Sequence, residues 1–369
     1  MCFIYISNEY TGIGAYRGLK KKLLFIVEAM GGGVFTYIVD LANELVVDYD
    51  VYIAYNVRPQ TPIEYKEYFD KRIKLIRVKN FERSISPKKD IKAFFELRKI
   101  AKQVKPDIIH LHSSKAGVLG RIAFAFGKTP IYYTPHGFSF LMRGVGNKKR
   151  AVYHLIESIC SLGGATTIAC SPGEYDEALK LTKKSKLVNN GINIADLKDY
   201  RQQSANGNGV VTLGRVTYQK NPRLFNDIAL ALPNENFTWI GNGELANELS
   251  AKNIDVTGWL SRKEALNQII DSDIFVLTSL WEGLPLSLLE AMYLGKICIV
   301  SDVVGNRDVI KNGVNGFICK TPLEYANTIK AIKNGDVDTK KIVANAYNDI
   351  ITLYNTKVMA KQYKDIYND

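Results

Sequence analysis

The chain of 369 residues has no CxxC pair: its five cysteines, Cys2, Cys160, Cys170, Cys298 and Cys319, are odd in number and far apart. That excludes a disulfide framework and a structural zinc site as expectations, and it suits a reducing cytosol. Histidine is scarcer, at four residues, so a dedicated metal cluster has little to be built from. No apolar run reaches the roughly 18 residues a membrane-spanning helix needs. The first 20 residues lack the apolar core and small-residue cleavage site of a secretory signal, and read as an irregular extension or a consequence of start-site choice. Acidic charge is short in the first half alone. Residues 1–200 carry 31 Lys and Arg against 19 Asp and Glu, whereas residues 201–369 carry 18 of each, so the whole net charge of +12 lies in the first half. Such a half-molecule suits nucleic acid, an anionic membrane surface or an anionic substrate, and scattered basic residues on solvated helices equally.

What is present is a regular alternation of strand-like apolar runs with amphipathic helical stretches. The strands read LLFIVEA, VYIAYNV, IKLIRV, DIIHLHS, IYYTP and TTIAC in the first half, then VVTLGR, FTWIG, IDVTGW, IFVLTS and ICIVSD. This pattern predicts an α/β protein of two doubly wound parallel sheets, with ligands at the carboxyl ends of the strands. The expected segments are an extension over 1–20, a first domain over 21–201, a polar, Gly-rich linker over 202–209, a second domain over 210–345, and a C-terminal helix over 346–369 that packs back on the first domain.

Chemistry concentrates in SLWEGLPLSLLEAMYLGK. Gly283 and Pro285 make Glu282 a loop residue, while LSLLEAMYL has helical periodicity and carries Glu290. The helix N-terminus after Pro285 would offer free N–H groups and partial positive charge to a diphosphate held between the two carboxylates. The rise from Pro285 to Glu290 is about 7–8 Å, comparable to the reach from a phosphate to a ribose diol. Arg215 and Lys220 follow the strand VVTLGR and could neutralise the same diphosphate. Gly32 and Gly33 open the first helix and permit close approach of backbone to a phosphate, although a Gly-rich turn alone is also ordinary strand-to-helix geometry. His136, in TPHGF, ends a strand and would project into the cleft. His110 and His112 share one strand face without a third metal ligand and read as core histidines; His154 has no special claim.

In this order, LGRVTYQKNP, GNGELANEL, VTGWLSRKEALNQIIDSDIFVLTS, EGLPLSLLEAMYLGK and NGVNGF resemble the donor-binding half of glycosyltransferase family 4, whose hallmark is the acidic pair spaced E-x7-E. FIVEAMGGGVFTYIVDLANEL, DIIHLHSSKAGVLGR and YTPHGF are similar to the acceptor-side domain of bacterial polysaccharide glycosyltransferases of this type. The resemblance implies a GT-B fold and retaining transfer from a nucleotide sugar, a UDP-sugar, without a required metal or other cofactor. It implies an undecaprenyl diphosphate-linked glycan as acceptor in capsule, exopolysaccharide or O-antigen synthesis. The basic first domain would suit such an acceptor at an anionic membrane surface, peripheral on the cytoplasmic side, and no aromatic-basic module stands out to take a nucleic acid partner. By the same resemblance Glu290 holds the ribose hydroxyls, Arg215 and Lys220 the diphosphate, and Glu282 and His136 the donor sugar near the reacting carbon. Main-chain groups of Gly283, Leu284, Pro285 and Leu286 lie nearby, and Gly32 and Gly33 approach the diphosphate or acceptor. Two departures stand out: Lys296 where the family often has Pro, and Asp308 where it commonly has Glu. A nucleotide-sugar epimerase of the same fold and a basic, non-catalytic binding protein are the alternatives.

Overall fold

The computed structural model describes residues 20–82, 84–203 and 207–369; nearly all of the expected extension, and residues 204–206 of the expected linker, lie outside the described residues. Strands β1 (Lys22–Met30), β2 (Asp50–Val57), β3 (Lys74–Arg77), β4 (Ile108–His112), β5 (Ile131–Thr134), β6 (Thr166–Ala169) and β7 (Ser185–Leu187) form a parallel sheet in the order β3-β2-β1-β4-β5-β6-β7. Strands β8 (Val210–Leu213), β9 (Phe237–Ile240), β10 (Ile254–Val256), β11 (Ile274–Leu277), β12 (Ile297–Ser301) and β13 (Phe317–Cys319) form another in the order β10-β9-β8-β11-β12-β13. The helices of the first half are α1 (Gly32–Leu45), α2 (Pro87–Val104), α3 (Ser114–Phe124), α4 (Asn147–Ser161), α5 (Pro172–Leu181) and α6 (Ile194–Gln203). Those of the other half are α7 (Pro222–Ala231), α8 (Arg262–Ile270), α9 (Leu286–Tyr293), α10 (Asn306–Val309), α11 (Pro322–Asn334), α12 (Thr339–Leu353) and α13 (Thr356–Asn368).

Central strands such as β4, β11 and β12 are buried at every residue because helices cover both sheet faces, which is why they read as unbroken apolar runs. The strands not anticipated, β7 and β13, are three-residue edge strands too short to show a period. Several helices start on local signals: Ser171 accepts the Glu174 N–H ahead of α5, and Ser261 with Glu264 closes a capping box on α8.

The C-terminal return begins later than position 346. Helix α12 continues to Leu353 against α9 of the second domain, and the chain breaks at Tyr354 and Asn355, where the Asn355 side chain accepts the Val358 N–H and caps α13. Helix α13 lies on the first domain, against α1. At the crossing, Ile192 donates to the Tyr354 carbonyl and accepts from Thr356 N–H, at 3.0 and 3.1 Å. A Cβ on Gly191 would stand 2.4 Å from the Asn355 carbonyl carbon, so the crossing requires glycine.

Helix α13 also ends a column of buried hydrogen bonds. Tyr367 Oη lies 2.6 Å from His110 Nδ1, His110 Nε2 lies 2.9 Å from Thr134 Oγ1, and Tyr363 Oη lies 3.3 Å from the same hydroxyl. The His110 ring lies tilted against that of His112, centroids 4.0 Å apart, and His112 Nδ1 is 3.2 Å from His136 Nε2. Burial pulls all three imidazoles down, His136 to about 3. Asp40 of α1, facing the second domain, is pushed up to about 7 by burial, against the pull of Arg262 and with the help of Asp196, Glu290 and Glu44.

Gly191→Ala is expected to cost about 1–3 kcal/mol, read as a lower denaturation midpoint, because the added methyl meets backbone rather than a yielding side chain. Acid should destabilise the fold. Below pH 6.5 the unfolded chain protonates the three histidines and the native chain does not, so stability present above pH 6.5 falls at up to about 1.4 kcal/mol per pH unit for each. Asp40 acts in the opposite sense, since its native carboxyl gains a proton as pH falls through about 7 while the unfolded one waits for 3.8. Glu174, whose carboxyl burial also raises, acts with Asp40, and the three histidines outweigh the two carboxyls between pH 6.5 and 4. Urea midpoints at pH 7 and pH 5 should show the drop, and His110→Gln should flatten it.

Candidate active site

Around the cleft, the two domains meet through loops at the carboxyl ends of their strands. The loop after β5 meets that after β11: a Cβ on Gly283 would lie 3.0 Å from the Gly137 nitrogen and 3.2 Å from the Cys170 sulfur. The loop after β6 meets that after β12, where Asp308 Oδ2 accepts from both Gly173 N–H and Gly305 N–H at 3.0 Å. Gly144, beyond β5, packs on the ring of Tyr218, beyond β8. The carboxyl ends of the two sheets therefore face each other, as the strand pattern predicts.

On the second domain, Glu282 is nearly buried and its Oε1 lies 2.7 Å from Lys220 Nζ, with Gln219 Nε2 3.5 Å from Oε2. The turn bearing Gln219 and Lys220 is fastened to the strand end of β11: Thr278 Oγ1 donates to the Lys220 carbonyl at 2.7 Å and Leu280 N–H to the Gln219 carbonyl at 2.8 Å. Arg215 sits half-buried after β8. Leu284 and Leu286 are buried, and Asn190 of the first domain donates to the Leu284 carbonyl at 2.8 Å. Pro285 precedes α9 in an extended conformation, and no side chain caps the helix. Its N-terminal N–H groups thus keep the character of an anion site. Glu290, one turn in, is buried, and Arg262 Nη1 holds its Oε1 at 2.8 Å.

On the first domain, His136 has a left-handed backbone (φ +55°) that swings the half-buried ring against the edge of Tyr37 and onto His112. Glu174 stabilises this turn by accepting Gly137 N–H at 2.6 Å and Cys170 N–H at 2.7 Å. Gly32 (φ +57°) and Gly33 are exposed, and a Cβ on either would point into open space, so what glycine preserves there is room. Among the described residues no three of His, Cys, Asp and Glu are grouped to hold a metal ion.

The structure thus unites Glu282, Lys220, the 283–286 turn and the His136 loop at one cleft. Glu290 is anchored to an arginine. Arg262, Gln219, Glu174 and Asn190 were not anticipated, because Glu290, Glu282, Gly137 and Leu284, on which they act, are distant in sequence; the local signals nearby, Ser171 with Glu174 and Ser261 with Glu264, mark helix starts only. Lys296 proves to be buried, its Nζ donating to the carbonyls of Ile270 and Ser272 at 2.7 Å, a cation closing the C-terminus of α8. Asp308 replaces a family glutamate with a carboxylate that staples the two domains.

The profile described as Glycosyltransferase Family 4 matches residues 31–196, and that of Glycosyl transferases group 1 matches residues 196–349. The chain is 32% identical over 343 residues to the UDP-Gal:alpha-D-GlcNAc-diphosphoundecaprenol alpha-1,3-galactosyltransferase of Escherichia coli, covering 82% of this chain and 86% of that protein. It is 25% identical, over 88% of this chain and 92% of the other, to the GalNAc-alpha-(1->4)-GalNAc-alpha-(1->3)-diNAcBac-PP-undecaprenol alpha-1,4-N-acetyl-D-galactosaminyltransferase of Campylobacter jejuni. Among solved structures, sucrose-phosphate synthase of Thermosynechococcus elongatus superposes with a TM-score of 0.80 at 17% identity, over 95% of this chain and 98% of that one. Anabaena HepE with UDP and glucose superposes with a TM-score of 0.74 at 18% identity, over 94% and 99%. Two facing parallel sheets, a returning C-terminal helix and this degree of likeness over most of the chain make the protein a glycosyltransferase with the GT-B fold, a member of glycosyltransferase family 4.

Proposed function

We propose that the chain transfers a sugar from a UDP-sugar, with retention of anomeric configuration, to an undecaprenyl diphosphate-linked glycan during surface polysaccharide synthesis. The observation that carries this reading is the paired set Lys220–Glu282 and Arg262–Glu290 flanking the uncapped N-terminus of α9. The activities for which the Escherichia coli and Campylobacter jejuni relatives are named support the choice of acceptor. No helix among the described residues is long and apolar enough to cross a membrane, so a lipid-linked acceptor would be met at the membrane surface.

The costly event is cleavage of the bond between the sugar's C1 and the diphosphate oxygen, whose electron pair leaves with the UDP. Lys220, Arg215 and the first N–H groups of α9 would receive that charge, and because Glu282 already orients the Lys220 ammonium, little reorganisation is needed as the bond breaks. Glu290 would accept the ribose hydroxyls on the carboxylate that Arg262 fixes. The acceptor hydroxyl would attack on the face the diphosphate leaves, and its proton would pass to the departing phosphate oxygen. This route needs neither a metal nor a carboxylate base. His136, neutral because burial holds it near 3, would hydrogen-bond a donor-sugar hydroxyl through Nδ1, since Nε2 is engaged by His112.

Calorimetry should show UDP binding in the presence of EDTA, selective over GDP and ADP, and weakened at least tenfold by Glu290→Ala, the loss of a charged hydrogen bond being about 1.5–3 kcal/mol. Absence of nucleotide binding would remove the basis of the reading. Transfer from UDP-sugars to a diphosphate-linked acceptor should fall by about 10²–10³ in kcat for Lys220→Met, the loss typical of one stabilising donor at a developing anion. A donor altered without any acceptor would instead mark an epimerase.

A further inference from the structure

A neutral imidazole has one nitrogen that donates and one that accepts, and the partners of both decide which is which. For His136 that decision falls to His112. His112 ends β4 and is fully buried, and the neighbouring strand β5 leads into the turn at His136, so His112 Nδ1 comes to lie 3.2 Å from His136 Nε2. Burial, aided by the His110 and His136 rings, holds His112 well below the usual histidine range, and burial holds His136 at about 3. Both rings are therefore neutral at pH 7, and the two facing nitrogens carry one proton between them.

The far side of His112 settles where that proton sits. Its Nε2 is buried and has no hydrogen-bond partner among the described residues. The rings of Phe25, Tyr37 and His110 enclose it, with centroids 4.8, 5.9 and 4.0 Å from its own. An N–H at Nε2 would be a buried donor with nothing better than a ring face to meet, which is the rarer and weaker arrangement. His112 thus keeps its proton on Nδ1 and donates to His136. His136 Nε2 must be bare to accept, which puts the His136 proton on Nδ1, the nitrogen left for a ligand. The aim of that N–H is fixed as well. His136 holds a left-handed backbone at φ +55°, Glu174 accepts the next N–H, that of Gly137, at 2.6 Å, and the Tyr37 ring, tied through its hydroxyl to Tyr363 of α13, lies edge-on at 4.5 Å.

We infer that His112 is a positioning residue that fixes His136 as its Nδ1–H tautomer, so that the ring offers the donor sugar a neutral hydrogen-bond donor and no basic nitrogen. Two consequences follow for the reaction. As the bond from C1 to the diphosphate lengthens, positive charge grows on the sugar, which a neutral N–H tolerates and an imidazolium would oppose. The one lone pair of His136 is taken by His112, so the ring does not accept the acceptor's proton, and the departing phosphate oxygen is left to do so. This part in transfer rests on the transferase reading; the tautomer stands on the histidine pair alone.

The test uses the full chain with nitrogen-15 in its histidines, in long-range proton–nitrogen spectra at pH 7, which separate a protonated from a bare ring nitrogen. His112 and His136, assigned by the loss of their signals in single variants, should each show a protonated Nδ1 and a bare Nε2. In His112→Asn the amide nitrogen stands as many bonds from Cα as Nδ1 does, so it should still donate and keep His136 bare at Nε2. His112→Phe removes the donor: His136 should shift toward the Nε2–H form, and kcat for transfer should fall about tenfold, on the order of one neutral hydrogen bond. His112→Asn should restore most of that loss. Wild-type UDP affinity in both variants shows that they fold, since His136 faces the sugar and not the nucleotide. A wild-type His136 protonated on Nε2 would overturn the inference, and so would an unchanged tautomer and kcat in His112→Phe, or an equal loss in the two variants. Should His112→Phe fail to fold, the wild-type and His112→Asn spectra decide alone. Absence of UDP binding by the wild type would strike only the transferase reading and leave the tautomer in place.

Discussion

Three loops that carry the candidate active site approach one another through glycine. Gly137 and Gly283 bring the backbones of the two domains together, and a Cβ on Gly305 would lie 2.5 Å from the Gly283 carbonyl oxygen, a distance no side chain tolerates. With side chains removed from the contact, the peptide groups need partners, and two carboxylates supply them: Glu174 for Gly137 and Cys170, Asp308 for Gly173 and Gly305. Burial pushes Glu174 up toward its neutral form while the backbone N–H bonds from Cys170 and Gly137 oppose it, so the turn at His136 and the side chain of Glu174 hold each other in place. The left-handed backbone of His136 and the position of Glu282 beside Lys220 both follow from how closely these loops meet.

Charges inside the cleft come already paired. Placing Lys220 and Glu290 near a diphosphate site without partners would leave long or buried charged groups to seek water or neutralise. Glu282 and Arg262 prevent this, at the cost of engaging part of the hydrogen-bonding capacity that a ligand would use. Such pairing suits a site whose task is to stabilise charge that develops during reaction, because the dipoles and charges are in position beforehand. Asp40, with a pKa near 7 and within the field of Arg262 and Glu290, ties this charge balance to the domain interface.

How much of this was legible depended on the range over which the information acts. Strand and helix periodicity is local, and it placed two parallel sheets and put Glu282 in a loop and Glu290 on a helix. Two edge strands of three residues left no period to read. The partners of the acidic pair lie 62 and 28 residues away, at Lys220 and Arg262. Lys220 stood out by its place after a strand end, whereas Arg262 had nothing in its surroundings to set it apart from an ordinary solvated arginine at a helix start. Lys296 and Asp308 were visible as departures from a family pattern, but their roles, closing a helix end and stapling two domains, exist only in the folded chain. His110 and His112 read correctly as core residues. Their alignment with His136 required knowing which strands are neighbours, since β5 lies beside β4.

The returning helix also decides which surface the first domain has left to offer. Because α13 buries Met359, Ala360, Tyr363 and Tyr367 against the α1 side, the apolar demand of that sheet face is met within the chain. On the opposite side the helices bury their inner faces only, and their outer faces carry both the exposed apolar residues and most of the net charge. The lopsided charge along the sequence is therefore an asymmetry between two faces of one sheet, with the catalytic cleft opening at the edge where α4 begins.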